Sequence, residues 1–218
     1  MKEVAVSDII KKVRITIDEN GTETAYLNGV PENMELNEII RSKILDAVRI
    51  VEMAAPAHLL GSGDTFAESI GWVNKKGLGD GYIPLPDDFM RLVSFQMSDW
   101  SYPVTGTQIL SDEDSLYALL KSDYRGSFGT PKKPAAAIVK YPIGLVLEFF
   151  SSNDGGNAAV KRARYIPIPK FSTDESTVSI CEKCEQSIIY YCAYLTLLSR
   201  GDSQNAAGFL AQSNELLK

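Results

Sequence analysis

Histidine is almost missing from this chain: His58 stands alone among 218 residues. A lone imidazole after Pro56-Ala57, with no Gly-x-Ser-x-Gly elbow elsewhere, leaves a hydrolase triad without its parts. Cysteine is scarce as well, with three residues confined to Cys181, Cys184 and Cys192. An odd number packed so closely fits a reducing compartment better than a secreted disulfide framework. No stretch reaches the ~20 consecutive apolar residues of a membrane helix, and Met1-Lys-Glu-Val-Ala-Val-Ser-Asp8 lacks the apolar run of a signal peptide. Assembly in the cytoplasm, with no membrane partner, is the expectation. Positive charge is in deficit: 22 basic against 28 acidic residues give a net charge of −6. Such a surface does not grip nucleic acid as a whole, because phosphate neutralisation needs clustered Lys and Arg. It does suit a wall that DNA slides past, since like charge repels it.

What is present is a core. With 44% hydrophobic residues, a chain of this length buries about 70% of its unfolded surface and needs no staples. Ser7-Asp8 followed by Ile9, Ile10, Val13 and Ile17 predicts a short capped helix. Leu36, Ile39, Ile40, Ile44, Leu45, Val48 and Val51 recur at helical spacing until Pro56, which predicts a helix over Leu36 to Ala55. Near the other end, Val178, Cys181, Cys184, Ile188, Tyr191, Cys192, Leu195 and Leu198 fall on one stripe of a helix from Ser176 to Arg200. Arg200-Gly201-Asp202-Ser203 breaks it, and a last helix runs from Ser203 to Leu217. Between Phe66 and Pro169 short β-branched and aromatic runs alternate with Gly, Pro, Asn and Asp. There the turn Phe150-Ser-Ser-Asn-Asp-Gly-Gly-Asn157 predicts that Leu145 to Phe150 pairs with Val160 to Ile168, and a small helix spans Asp112 to Leu120. The expected fold is α+β: an antiparallel helical bundle from residues 1–65 and 170–218, carrying an inserted antiparallel β-rich subdomain over 66–169.

Candidates for chemistry are thin. Cys181-Glu-Lys-Cys184 has the spacing of a zinc or redox pair, yet four ligands would require every cysteine and the sole histidine. Its place on the apolar stripe favours small buried hydrophobes. Gly77-Leu-Gly79-Asp-Gly81 runs into Tyr82-Ile83-Pro84-Leu85-Pro86, so it opens no helix and is no dinucleotide fingerprint. Asp112-Glu113-Asp114 lacks the alternating ligands of a calcium loop and favours a helix N-terminus instead. No catalytic set, cofactor or metal is expected. The middle region does carry interface chemistry: Tyr102, Tyr117, Tyr124 and Phe128 in its loops, with Lys132 and Lys133 and the cluster Lys161, Arg162, Arg164.

Taken together, Leu85-Pro-Asp-Asp-Phe-Met-Arg-Leu-Val93 at the start of a strand, Ile188-Ile-Tyr-Tyr-Cys-Ala-Tyr-Leu-Thr-Leu-Leu198 and the closing Gln204 to Leu217 resemble the head–tail connector (adaptor) proteins of tailed bacteriophages. That resemblance implies a non-enzymatic structural virion protein. It implies a ring, of twelve copies in the family, that sits beneath the portal protein, meets tail or neck proteins on its other side and extends the DNA channel without reading sequence. The loops from Tyr102 to Lys133 and the tip at Asn153 to Asn157 are the expected docking elements. Two rival readings use other residues: a small cytosolic metal- or redox-active protein working through Cys181 and Cys184, and a carbohydrate-binding module using Trp72, Trp100 and the tyrosines.

Overall fold

A computed structural model describes residues 1–19, 30–66, 69–73, 79–122, 128–150 and 158–218. The chain divides into two compact units, one made of Met1–Gly61 with Ile168–Lys218 and the other of Ser62–Pro167. The fold is α+β, but the expected helical bundle with an inserted subdomain is not what forms. Among the described residues it is sheet-rich, with ten strands in three antiparallel sheets and five α-helices.

The first unit opens with strand β1 (Lys2–Ala5), helix α1 (Val6–Glu19) and helix α2 (Val30–Ala54). Val6, Ile9, Val13 and Ile17 of α1 and Ile40, Ile44, Ala47, Val48 and Val51 of α2 are buried, the three-and-four spacing read from the sequence. Helix α2 begins earlier than expected, with Pro31 in its first turn, where a missing N–H costs no hydrogen bond. The Asn20-Gly21 and Asn28-Gly29 turns lie outside the described residues.

The predicted helix start at Ser176 is corrected. Thr177–Ile180 is a strand, β10, paired antiparallel with β1 in the register Lys2↔Ile180 to Ala5↔Thr177. Val178 and Ile180 alternate inward at 1% and 0% exposure, the period of a strand. A single 3₁₀ turn, Glu182–Cys184, then leads into α4 (Glu185–Ser199). Ile188, Ile189, Cys192, Ala193, Thr196 and Leu197 of α4 are buried, because α1, α2 and α5 (Ser203–Glu215) all pack on it. Leu198, placed on the buried stripe by its spacing, is exposed. Glu185 receives Lys2 at 2.8 Å and Lys12 at 2.5 Å, tying β1 and α1 to the first turn of α4; these ammonium groups hold its carboxyl below the usual range. Asp202 caps α5, accepting the Asn205 N–H at 3.2 Å. Deep between α4 and α5, Ser187 and Ser213 hydroxyls lie 2.8 Å apart and each also donates to the other's carbonyl.

The second unit holds the other eight strands among the described residues. One sheet has the order β2 (Asp64–Thr65), β9 (Val160–Pro167), β5 (Phe89–Met97), β6 (Val104–Thr105). The other runs β3 (Gly71–Val73), β4 (Asp80–Pro84), β8 (Gly144–Phe150), β7 (Ala135–Tyr141). The expected pairing of Leu145 to Phe150 with Val160 to Ile168 does not form. Both edges of β8 are taken, by β4 and by β7, so β9 joins the other sheet. Pro142-Ile143 closes the β7–β8 hairpin at Tyr141↔Gly144 instead, a two-residue loop needing less ordered chain than the long polar segment.

Phe95, Trp100, Leu147, Phe149, Ile83 and Ala163 form the core between the sheets. Phe149 is central: Trp72 meets its ring edge-on at 5.5 Å and Phe95 tilts against it at 5.9 Å. The far face of the second sheet is covered by α3 (Ser115–Lys121), whose Leu120 packs with Val139, Val146 and Phe150. Gly63 explains a tight crossing. At φ +60° its missing side chain leaves room for the Tyr165 carbonyl, which an added Cβ would approach to 2.4 Å.

The corrected helix has a direct test. Ile188→Ala should lower unfolding free energy by about 2–5 kcal/mol, whereas Leu198→Ala should cost within about 0.5 kcal/mol, both read from urea denaturation. Equal losses would contradict the burial of one face of α4 and the exposure of the other.

Candidate partner interface

The loop cluster is built around one backbone bond: the Ser101 N–H donates to the Pro131 carbonyl at 2.9 Å. This fastens the turn after β5 to the Pro131-Lys-Lys-Pro134 segment. Thr130 and Lys133 exchange backbone hydrogen bonds of 2.9 and 3.2 Å, making a closed turn that presents Lys132. The Lys133 ammonium sits 5.5 Å above the Phe128 ring. Tyr102 and Phe128 are each 44% exposed, and both lysines are exposed. Four of the expected interface residues, Tyr102, Phe128, Lys132 and Lys133, are therefore carried by two loops bonded to each other. The exposed rings of Tyr102 and Phe128 are the part of this surface that matches the composition of protein interfaces.

Tyr117 is placed differently, on α3 and half-buried, with its hydroxyl donating to Glu148 at 3.0 Å. Tyr124 and the Asn153 to Asn157 tip lie outside the described residues. Sequence reasoning passed over a further apolar projection, the β7–β8 hairpin tip, where Ile143 and Leu145 are 63% and 48% exposed. The signal was there in Tyr141-Pro-Ile-Gly144, an apolar residue inside a two-residue turn.

Glu148 is the centre of a buried polar network. Only 3% exposed on β8, its carboxylate accepts from the hydroxyls of Tyr117 and Tyr141 and from the Lys121 ammonium at 2.7 Å. Lys121 also lies 5.4 Å over the Tyr117 ring and 5.8 Å over the Phe150 ring. A cavity of about 240 Å³ beside it is lined by Asp80, Gly81, Lys121, Tyr141, Glu148 and Phe150. Burial and the adjacent carboxylate push Tyr117 upward and Tyr141 to about 12. Both hydroxyls thus stay protonated and act as donors. The set neutralises a buried anion and clamps α3 onto its sheet. An acid inside Leu145-Val-Leu-Glu-Phe-Phe150 is the mark in the sequence that could have found it.

In the first unit Cys181, Cys184 and Cys192 are buried free thiols. Cys181 donates to the Leu60 carbonyl at 3.2 Å, and its N–H reaches Glu52 Oε1 at 2.6 Å. Burial pushes the Cys181 thiol up and Cys192 to about 12, away from the thiolate that metals and disulfide exchange require. Glu52, fully buried, is raised by the same desolvation. Among the described residues no group of three or more His, Cys, Asp or Glu is arranged to hold a metal ion. Of the two tryptophans, Trp100 is 3% exposed and Trp72 is half-buried against Phe149. No protein-family model and no curated protein matches this chain.

The tyrosine clamp sets a pH dependence. Tyr141 ionises near 10.0 when unperturbed and near 12 in the fold, so its stabilisation is complete below pH ~10 and is lost as pH rises toward ~12. Tyr141→Phe should flatten the alkaline limb of stability in guanidine titrations. An unchanged slope between those pH values would remove Tyr141 from the clamp.

Proposed function

We propose that this chain is a structural virion protein, a subunit of a connector ring that joins the portal vertex to the tail or neck and extends the DNA channel. The observation that carries the reading is the pair of bonded loops presenting Tyr102, Phe128, Lys132 and Lys133, with the Ile143 tip, on the sheet unit. Surfaces of this composition serve partners rather than substrates. The resemblance in Leu85 to Val93 and Ile188 to Leu198 supplies the partner class. The sheet-rich fold departs from that family's helical architecture, so the weight falls on these residues and on the exposed loops.

The net charge of −6 suits a channel wall that DNA passes without binding. Raised thiols at Cys181 and Cys192 give no support to a metal or redox activity at Cys181 and Cys184.

Negative-stain microscopy of the purified chain, alone and mixed with a phage portal protein, should show ring particles. A monomer under both conditions would overturn the reading. Tyr102→Ala combined with Phe128→Ala should weaken portal association at least about tenfold if these loops are the anchors, as measured by co-sedimentation.

A further inference from the structure

Among the described residues, strand β9 carries three cations without side-chain partners. Beyond Arg164 and Tyr165, which pair with the two residues of β2, the strand Val160–Arg162 has no neighbour on that side among the described residues. Lys161 and Arg162 are exposed and Arg164 half-buried, and none of the three makes a side-chain hydrogen bond or ion pair among the described residues. With Thr65 and Phe66 they line a surface cavity of about 270 Å³. Asp64, the nearest acid on β2, faces Tyr165 in register and forms no ion pair with them. Three like charges on one strand repel one another.

The complementary charge lies at the opposite side of the same unit. Chain leaving β6, the last strand of its sheet, runs to Leu110, which bridges in parallel to Ala137 of β7, the last strand of the other sheet. Immediately after it stand Asp112, Glu113 and Asp114, all exposed. Asp114 accepts the Ser111 N–H at 2.6 Å and the Ser111 hydroxyl at 3.0 Å, which fixes the turn. The helix next in the chain, α3, is held down by the Glu148 clamp. The β2–β9 side thus presents Lys161, Arg162 and Arg164, and the turn beside β6–β7 presents Asp112, Glu113 and Asp114, with Lys132, Lys133 and Lys140 exposed along β7 and its approach.

We infer that the Lys161–Arg164 edge of one copy docks against the Asp112–Asp114 edge of the next, a head-to-tail contact between copies of this chain. A surface that meets a different surface of its neighbour propagates, and a ring is its closed form. This inference deepens the connector reading and rests on it for ring closure, while the charge pairing stands on the unit itself. Charged residues on a strand edge also block unwanted sheet extension. That protective role is served by either sign of charge, so sign reversal separates the two.

Sedimentation velocity at about 50 mM and about 500 mM salt tests the contact. The wild-type chain should associate at low salt and dissociate at high salt. Lys161→Glu with Arg162→Glu, and separately Asp112→Lys with Glu113→Lys, should each lower association at least about tenfold. Mixing the two variants in equal amounts should restore it, because alternating copies then present opposite charges at every junction. That rescue also shows that both variants fold. Wild-type assembly that neither reversal disturbs would overturn the edge contact and leave the ring reading standing. A wild-type chain monomeric in both salts would overturn the contact, and the microscopy with portal protein would decide the ring reading separately. Binding of labelled duplex DNA that the β9 reversal abolishes, with assembly untouched, would assign the cations to phosphate and overturn the inference.

Discussion

The pairing of β1 with β10 is the constraint on which the first unit depends. Four residues from the start of the chain lie in register with four that begin its last fifth. Closing so long a loop costs entropy that grows only slowly with its length, and the burial of Val4, Val178 and Ile180 offsets it. The strand also aims the turn and helix that come after it in the chain. Once Ile180 is fixed, the Cys181–Cys184 turn must fold beneath Leu60 and Glu52, and α4 must start where Lys2 and Lys12 reach Glu185. The order of helix packing around α4 is set by that starting point.

Local patterns in the sequence carried a good part of this. Ile9, Val13 and Ile17, and Ile40, Ile44, Val48 and Val51, announce their helices because each segment's period is consistent along its whole length. The Gly201-Asp202-Ser203 break announces a cap at Asp202 or Ser203, and Asp202 fills it. The segment from Ser176 to Ile188 was ambiguous for a physical reason: Val178 and Ile180 satisfy period two, while Cys181, Cys184 and Ile188 satisfy three and four. Only a partner strand some 170 residues away decides between them, and no local window contains it. The β8–β9 error has the same origin, since a strong turn signal says nothing about edges already occupied by β4 and β7. At the candidate interface, exposure was legible for Tyr102, Phe128, Lys132 and Lys133. Tyr117 was not, because its hydroxyl answers an acid that lies on another element, strand β8.

Buried polarity is used here to fix positions. Glu148 under two hydroxyls and an ammonium, Glu52 against the Cys181 N–H and the Ser187–Ser213 pair each cost desolvation and return a single permitted geometry. Apolar residues in their places would pack as well but would let α3, the Cys181 turn or α5 slide. Such pinning fixes from the interior where the neighbouring exposed loops sit.

The strands β2 and β9 lie just inside the two places where the chain passes from one unit to the other, and they are hydrogen-bonded neighbours, Asp64 beside Tyr165. The two polypeptide crossings are thus about one strand spacing, ~5 Å, apart at that rung. A segment whose termini meet in this way is a cassette: it can be lengthened, recoded or exchanged between related chains through a splice at residues 62 and 167, without stretching the rest. Changes on one side of that splice would then leave the packing on the other side untouched.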